Sequence, residues 1–377
     1  MSRNRSRDFS IINSFSFFIL DGKYNEETLK TLTVSKVYFI STLFNVFLLK
    51  SVLVNSIKFY TELVNEGLKN FSFSNKPKSL YDPIKYILDL EGKRIRPILT
   101  LMSCNSFGLD PKEALSASLS LECFHNFTLM HDDIMDSALT RRGEQTVHVK
   151  WNSDRAILSG DAMLIFSYKL LESYDLKTYF NLNKLLNKTA LEVCEGQQYD
   201  IDFETKLDID FNQYLEMIRL KTAVLVGAAL QMGAIVANAS DQDQERIYNF
   251  GINLGLAFQL QDDLLDVFGD SDLVGKKNGG DILENKKTIL FHMTRSNATK
   301  IQIDELDSLF NSKKLSSKLK ISKVTTLFKA TKADTLTSKL IKDYTTIAIK
   351  YIDDLSIEES QKEEFKTLSK KLMGRQF

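Results

Sequence analysis

Two pentads of the form Asp-Asp-X-X-Asp, Asp132 to Asp136 and Asp262 to Asp266, lie inside the mainly apolar runs LMHDDIMDSAL and LAFQLQDDLLDVF. Six carboxylates among such neighbours repel one another and desolvate at high cost unless cations neutralise them. On a helix Asp132 and Asp136 stand four residues apart and share a face, as do Asp262 and Asp266. Oxygen-only ligands with several carboxylates suit Mg²⁺, which keeps some waters and completes its shell with phosphate oxygens. The pattern predicts two facing helices that hold a diphosphate through metal ions.

The rest of the chain supplies helices for such a frame. From residue 52 onward apolar residues recur at three and four, as in Leu53, Ile57, Tyr60, Leu63, Val64 and Leu68. Pro83 is expected to open the next segment and Gly92 to end it, and Pro97 to open another. Asp110-Pro111 reads as an N-cap followed by proline at the first helical position of a long helix through the first pentad. Further helices are expected over 154–174, 178–200, 211–238, 241–268, 284–296, 301–311, 319–329, 333–354 and 358–373. No stretch alternates strictly with β-branched residues and hairpin turns, and only 4 prolines and 16 glycines punctuate the chain. Apart from the pentads there is no internal repeat. The expectation is one large all-α domain over 52–377, an antiparallel helical bundle with catalytic groups projecting into its centre.

With 49 Lys+Arg against 49 Asp+Glu the net charge is zero, and no basic tract calls for nucleic acid. Cys104, Cys123 and Cys194 form no CxxC pair and read as buried free thiols in a reducing compartment, so the expected location is cytoplasmic. Residues 1–51 stand apart. Three arginines lie between Ser2 and Asp8, and the run Val37 to Val54 is apolar but interrupted by Ser41, Thr42, Asn45 and Lys50. That makes a marginal membrane span, too far from the terminus for an ordinary signal peptide. A plain extension is favoured over an anchor.

Basic segments flank the first pentad, Gly92-Lys93-Arg94-Ile95-Arg96-Pro97 before it and Thr140-Arg141-Arg142-Gly143 after it. Arginine grips phosphate oxygens with a planar fork and lysine supplies a point charge, while the adjacent glycines leave room for backbone near an anion. Taken alone, either cluster would read as solvated surface. Lys221-Thr222 interrupts the nearly uncharged MIRLKTAVLVGAAL, and Gly275-Lys276 with DILENKKT follows the second pentad around Gly279-Gly280, as a lid over phosphates would.

In this order the motifs GKRIRP, HNFTLMHDDIMDSALTRRG, TVH, GDAML, EGQQYD, LKTA, FQLQDDLLD and GK followed by DILENKKT resemble a trans-prenyltransferase of the isoprenyl diphosphate synthase (polyprenyl synthetase) family, over roughly residues 78–300. The resemblance implies the isoprenoid synthase fold, Mg²⁺ as cofactor, isopentenyl and allylic diphosphates as substrates, and a homodimer. It implies metal binding by Asp132, Asp133 and Asp136 and by Asp262, Asp263 and Asp266, with Gln259 nearby. It places Arg141, Lys221 and Lys276 on the allylic diphosphate, and Lys93, Arg96, His125 and Arg142 on the diphosphate of isopentenyl diphosphate. Thr222 and Gln197 match polar positions near the developing allylic cation, and Lys286 a lysine of the closing loop. His125 also precedes Asp132 by seven residues, two turns on the same face, which favours a ligand-facing side chain over a core histidine.

The chemistry expected is ionisation of the allylic C–O bond, with charge on the departing pyrophosphate met by metals, Arg141 and Lys221. The pinned double bond of isopentenyl diphosphate then attacks the cation, and the pyrophosphate takes the proton. Phe127, five residues and about 7.5 Å before Asp132, is the expected floor of the product tunnel, with Thr128 small beside it and Phe124 deeper. That pattern favours a C20 geranylgeranyl product, then farnesyl (C15), then longer polyprenyl chains. A terpene cyclase is disfavoured by the all-aspartate second motif and GKRIRP. A non-catalytic partner subunit is disfavoured because all six aspartates are present.

Overall fold

Helical spacing in the sequence becomes helix almost throughout. The computed structural model describes residues 53, 55–71, 76–206, 208–269, 279–312 and 315–374. The extension 1–51, the apolar run 37–54 apart from Leu53, and Lys276 lie outside the described residues.

The chain from residue 55 runs through helix α1 (55–69), α2 (Lys78–Asp89) and α3 (Ile95–Ser106), then a 3₁₀ turn (Pro111–Ala114) into α4 (Leu115–Met135). A two-residue hairpin follows, β1 (Thr140–Arg141) paired antiparallel with β2 (Glu144–Gln145). Next come the short α5 (Val147–Lys150), α6 (Ser153–Lys169) with a 3₁₀ turn (Leu170–Ser173), and α7 (Leu176–Thr205). Helix α8 (Phe211–Ile218) passes through a π-helical turn (Arg219–Ala223) into α9 (Val224–Val236). The remainder is α10 (Asp241–Phe268), α11 (Gly280–Leu283), α12 (Ile289–Asn297), α13 (Lys300–Asn311), α14 (Ser317–Ala330), α15 (Ala333–Asp353) and α16 (Glu359–Met373).

Helices α9 and α10 form the spine. α9 buries nearly its whole surface, including Val224, Leu225, Leu230, Met232 and Ile235. The stretch Phe211–Val236 has the length and hydropathy of a membrane span, yet 78% of its apolar window is buried inside the bundle. Gly233 lets α9 touch α3 backbone to backbone, since a Cβ there would come within 2.2 Å of the Thr100 carbonyl oxygen. α10 packs against α9 on one side and α15 on the other, and α4 packs against α6.

Several expectations need correction. Pro83 lies inside α2, not at its start; the helix begins at Lys78 and its residue-79 carbonyl forgoes one bond. Asp110 caps the 3₁₀ turn through the Lys112 amide (2.9 Å), so the long helix starts only at Leu115. The predicted helix 284–296 begins only at Ile289, as α12; residues 284–288 form a non-helical link from α11. Of the three cysteines, Cys104 and Cys123 are buried, but Cys194 is exposed. The π-helical turn carried no sequence signal; it inserts a residue where a continuous helix was expected.

Candidate active site

Both acidic pentads lie in the last turns of their helices. Asp136 is the C-cap of α4, its amide bonded to the Asp132 carbonyl at 2.8 Å, and α10 ends two residues beyond Asp266. Each helix therefore presents the negative end of its dipole beside its carboxylates, which compounds their demand for cations. Burial, and next among the raising causes Asp136, lift Asp132 to about 6, while Lys221 opposes them.

Four elements meet around these ends. Met135 Sδ of α4 lies 3.9 Å from Gln197 Nε2 of α7. Asp200 of α7 pairs with Lys221 Nζ of the π-turn at 2.5 Å. Thr222 Oγ1 donates to Gln259 Oε1 of α10 at 3.1 Å. Gly196 makes this geometry attainable, because a Cβ there would stand 2.3 Å from the Lys221 amide nitrogen. The π-turn thus projects Lys221 and Thr222 between α7 and α10, a use of inserted turns common at functional sites.

Two of the six expected metal carboxylates are turned into the protein instead. Asp133 is buried, and both its oxygens accept from Arg141 Nε at 2.8 and 2.9 Å. Asp263 is buried too: Oδ1 accepts from Gln259 Nε2 at 2.9 Å and Oδ2 from Tyr214 Oη at 2.5 Å. Apolar packing at these positions leaves only hydrogen-bonded orientations affordable. The pairs Asp132/Asp136 and Asp262/Asp266 remain as the carboxylates outside that packing. Asp266 Oδ2 also accepts from the Asp281 amide at 3.1 Å, tying α11 to the second pentad. Burial, followed by Asp263 and Asp266, raises the Asp281 carboxyl to about 8.

A second, cationic cluster faces this acidic one. Arg96 Nη1 lies 3.0 Å from His125 Nε2. Burial and then Arg96 and Arg142 hold His125 well below the ordinary histidine range. The ring is neutral, and since arginine only donates, Nε2 is the acceptor and the proton sits on Nδ1. Arg142 Nη1 reaches the Leu90 carbonyl at 3.4 Å, and a Cβ on Gly92 would stand 3.0 Å from its guanidinium. Arg96 feels the field of Asp262, which places the cationic cluster near the second pentad. Lys93 is exposed on the loop before α3. Lys286 follows α11 and pairs with Glu284 at 2.9 Å.

Two buried polar atoms here lack partners, Gln197 Oε1 and Arg96 Nε. Orphan groups of this kind are costly unless a ligand meets them. Phe127 and Phe124 are buried below, their rings 5.7 Å apart, and Thr128 Oγ1 bonds back to the His125 carbonyl at 2.8 Å. A groove of about 710 Å³ lies at the other end of α4, lined by Leu63, Leu115, Leu119 and Phe166, and holds none of these charged residues.

Four residues of the site went unassigned in the sequence. Asp200 lay within EGQQYD, three residues after Gln197, where the spacing signalled a shared face. Arg94, inside GKRIRP, is instead a buried structural residue bonded to Glu122 at 2.5 Å. Tyr214 carried no local signal, because its partner comes from another element, and Asp281 was seen only as the start of the DILENKKT run, without a role of its own.

The polyprenyl synthetase profile matches residues 77–328. A geranylgeranyl diphosphate synthase of Methanosarcina mazei is 37% identical over 240 residues, covering 63% of this chain and 74% of that protein. A geranylfarnesyl diphosphate synthase of Natronomonas pharaonis is 38% identical over 247 residues, covering 61% and 72%. A crystal structure of a geranylgeranyl pyrophosphate synthase superposes with a TM-score of 0.81 at 47% identity, covering 86% of this chain and 99% of that one. With that match spanning all the motifs from Arg96 to Lys286, the chain belongs to the polyprenyl synthetase family and is a trans-prenyltransferase of the isoprenyl diphosphate synthase type.

Proposed function

We propose that the chain performs the Mg²⁺-dependent head-to-tail (1′–4) condensation of isopentenyl diphosphate with an allylic diphosphate, releasing pyrophosphate, with C20 geranylgeranyl diphosphate as its product. One observation carries this reading: a carboxylate cluster at two helix C-termini lies near a separate Arg96–His125–Arg142 cluster, which would give two diphosphates distinct places. Mg²⁺ binds through one or two carboxylates and is completed by substrate phosphate, which suits the paired carboxylates at the two helix ends. Asp132, Asp136, Asp262 and Asp266 would hold it, and Asp133 and Asp263 would orient the helix ends. Bound there, the ion would neutralise the leaving diphosphate as its C–O bond breaks.

The chain's own groups do the rest. Arg141 and Lys221 add positive charge beside the allylic diphosphate, and Lys276 and Lys286 are assigned to the same end. Lys93, Arg96, His125 and Arg142 pin isopentenyl diphosphate so that its double bond faces the cation, removing much of the entropic barrier. Thr222, Gln259 and Gln197 offer oxygen atoms to that cation. Phe127, backed by Phe124, ends the path for the growing chain, and the geranylgeranyl names among the relatives accord with that length. The geranylfarnesyl relative makes C25 the next product to consider.

Exposed apolar residues form stripes on α6 (Leu158, Ile165) and α7 (Leu176, Phe180, Leu191). We assign this surface to a second copy of the chain, as a two-fold dimer. Sedimentation should give twice the chain mass, and Phe180→Asp should halve it. Three unpaired cysteines accord with a cytoplasmic location, to be checked by cell fractionation.

The deciding experiment incubates purified protein with isopentenyl diphosphate and each allylic primer, identifying products by mass. A C20 diphosphate that vanishes with EDTA is the expected result. A C15, C25 or longer product would keep the chemistry and overturn the floor assignment. No condensation with any primer would instead favour a non-catalytic partner subunit.

A further inference from the structure

Tyr214, in the middle of α8, is 1% exposed, and its hydroxyl donates to Asp263. A phenylalanine would fill the same space without a hydroxyl to satisfy, so the choice of a carboxylate in the second pentad as partner is informative. From Asp263 the bonds continue to Gln259 and then to Thr222. Chemistry sets the direction of every bond in that row. An ionised carboxylate only accepts, so Gln259 must turn its NH₂ toward Asp263 and its carbonyl oxygen toward Thr222. Thr222 has a single proton, which goes to that oxygen, and both its lone pairs are left for the other side. With one donor on each oxygen, Asp263 is held in a single orientation. Without Tyr214, Oδ2 would lose its donor, the carboxylate could rotate, and the Gln259 amide could reverse. Thr222 would then be able to point a proton where a lone pair had been.

We propose that Tyr214 is a positioning residue for the condensation, holding the Asp263–Gln259–Thr222 row in the one polarity that offers Thr222 oxygen lone pairs to a developing allylic cation. The inference rests on the function proposed above and adds a residue that touches neither substrate. Its energetic basis is preorganisation, since a dipole already aligned costs no reorientation when charge develops.

The test is a double-mutant cycle with Tyr214→Phe and Thr222→Val, run only after the native enzyme has been shown to condense its substrates. Failure of that first assay would count against the proposed function and not against Tyr214. Tyr214→Phe should lower kcat by about tenfold or more, as loss of a hydrogen bond to a charged group allows, with both KM values within about twofold. In the Thr222→Val background, Tyr214→Phe should cost no further rate, because its effect passes through that hydroxyl. An unchanged kcat in Tyr214→Phe, or losses that multiply in the double variant, would overturn the proposal. A lowered Tm with native kcat would assign Tyr214 to packing alone.

Discussion

Gly160 shows how far a single missing side chain reaches. A Cβ at that position of α6 would stand 2.2 Å from His131 Nε2 and 2.5 Å from Cδ2, so the ring of His131 occupies the space. His131 in turn lies edge-on to Phe127 with centroids 4.8 Å apart, and its Nε2 lies 3.2 Å from the Ile157 carbonyl oxygen. The position of the Phe127 ring, the proposed floor, is thus set by α6 as well as α4. Phe127→Ala should lengthen the product by at least one isoprene unit. Gly160→Ala should push His131 against Phe127, shorten the product, and cost about 1–3 kcal/mol through overpacking. Mass analysis of the products reads both outcomes, and a Gly160→Ala product of native length would detach His131 from the floor. The sequence proposed Phe127 from its distance to Asp132, whereas Gly160 within GDAML gave no hint of its partner. A glycine declares that space is needed, never what fills it.

At the scale of elements, the loop between α2 and α3 separates two arginines by function. Arg94 adopts a left-handed backbone (φ 47°) and turns inward, where Nη1 meets Glu122 and Nη2 donates to the Leu88 and Leu90 carbonyls at 2.5 and 2.8 Å. Glu122 Oε1 also accepts from Asn126 at 3.0 Å, so the pair is enclosed by further bonds. Arg96, two residues on, belongs to the cationic cluster with His125. Removing one member of an enclosed pair strands the other charge, and Arg94→Ala should cost about 3–5 kcal/mol in urea unfolding. Arg142→Ala, at an exposed residue, should leave stability within about 0.5 kcal/mol and raise KM for isopentenyl diphosphate. Equal destabilisation by the two substitutions would refute the contrast between the enclosed Arg94 and the cationic cluster that Arg142 shares with Arg96. The motif GKRIRP marked the loop as functional, but which guanidinium turns inward depends on Glu122, 28 residues away in α4.

Across the whole molecule, the gathered carboxylates tie stability to pH and to metal. Asp281, raised to about 8 chiefly by burial, keeps a proton in the fold that the unfolded chain releases near 3.8. Its contribution is present at low pH and is lost as pH rises through about 8. His125 and His292, both lowered by burial, act in the opposite sense and lose stability as pH falls below their ordinary 6.5. Between about pH 6.5 and 8 the carboxyl effect stands without that opposition, so Tm of the metal-free protein should decline over this interval. Mg²⁺ with pyrophosphate at pH 8 should raise Tm, and calorimetry with and without EDTA measures both effects. A Tm that climbs between pH 6.5 and 8 without metal would show that the acidic cluster is already compensated.

The sequence by itself determined the all-helical class, most helix spans, the two carboxylate pairs at Asp132/Asp136 and Asp262/Asp266, and the basic residues that accompany them. All of these are local properties, since periodicity and the four-residue spacing on a helix need no neighbour from elsewhere in the chain. Only the tertiary structure decided that Asp133 and Asp263 face inward, that Asp200 pairs with Lys221, and that Tyr214 holds the second pentad. It also decided the π-helical turn, whose inserted residue is accommodated where Gly196 of α7 meets its backbone. The physical reason is common to these cases: a buried polar group takes its orientation from a partner that must be supplied on site, and here those partners come from distant segments.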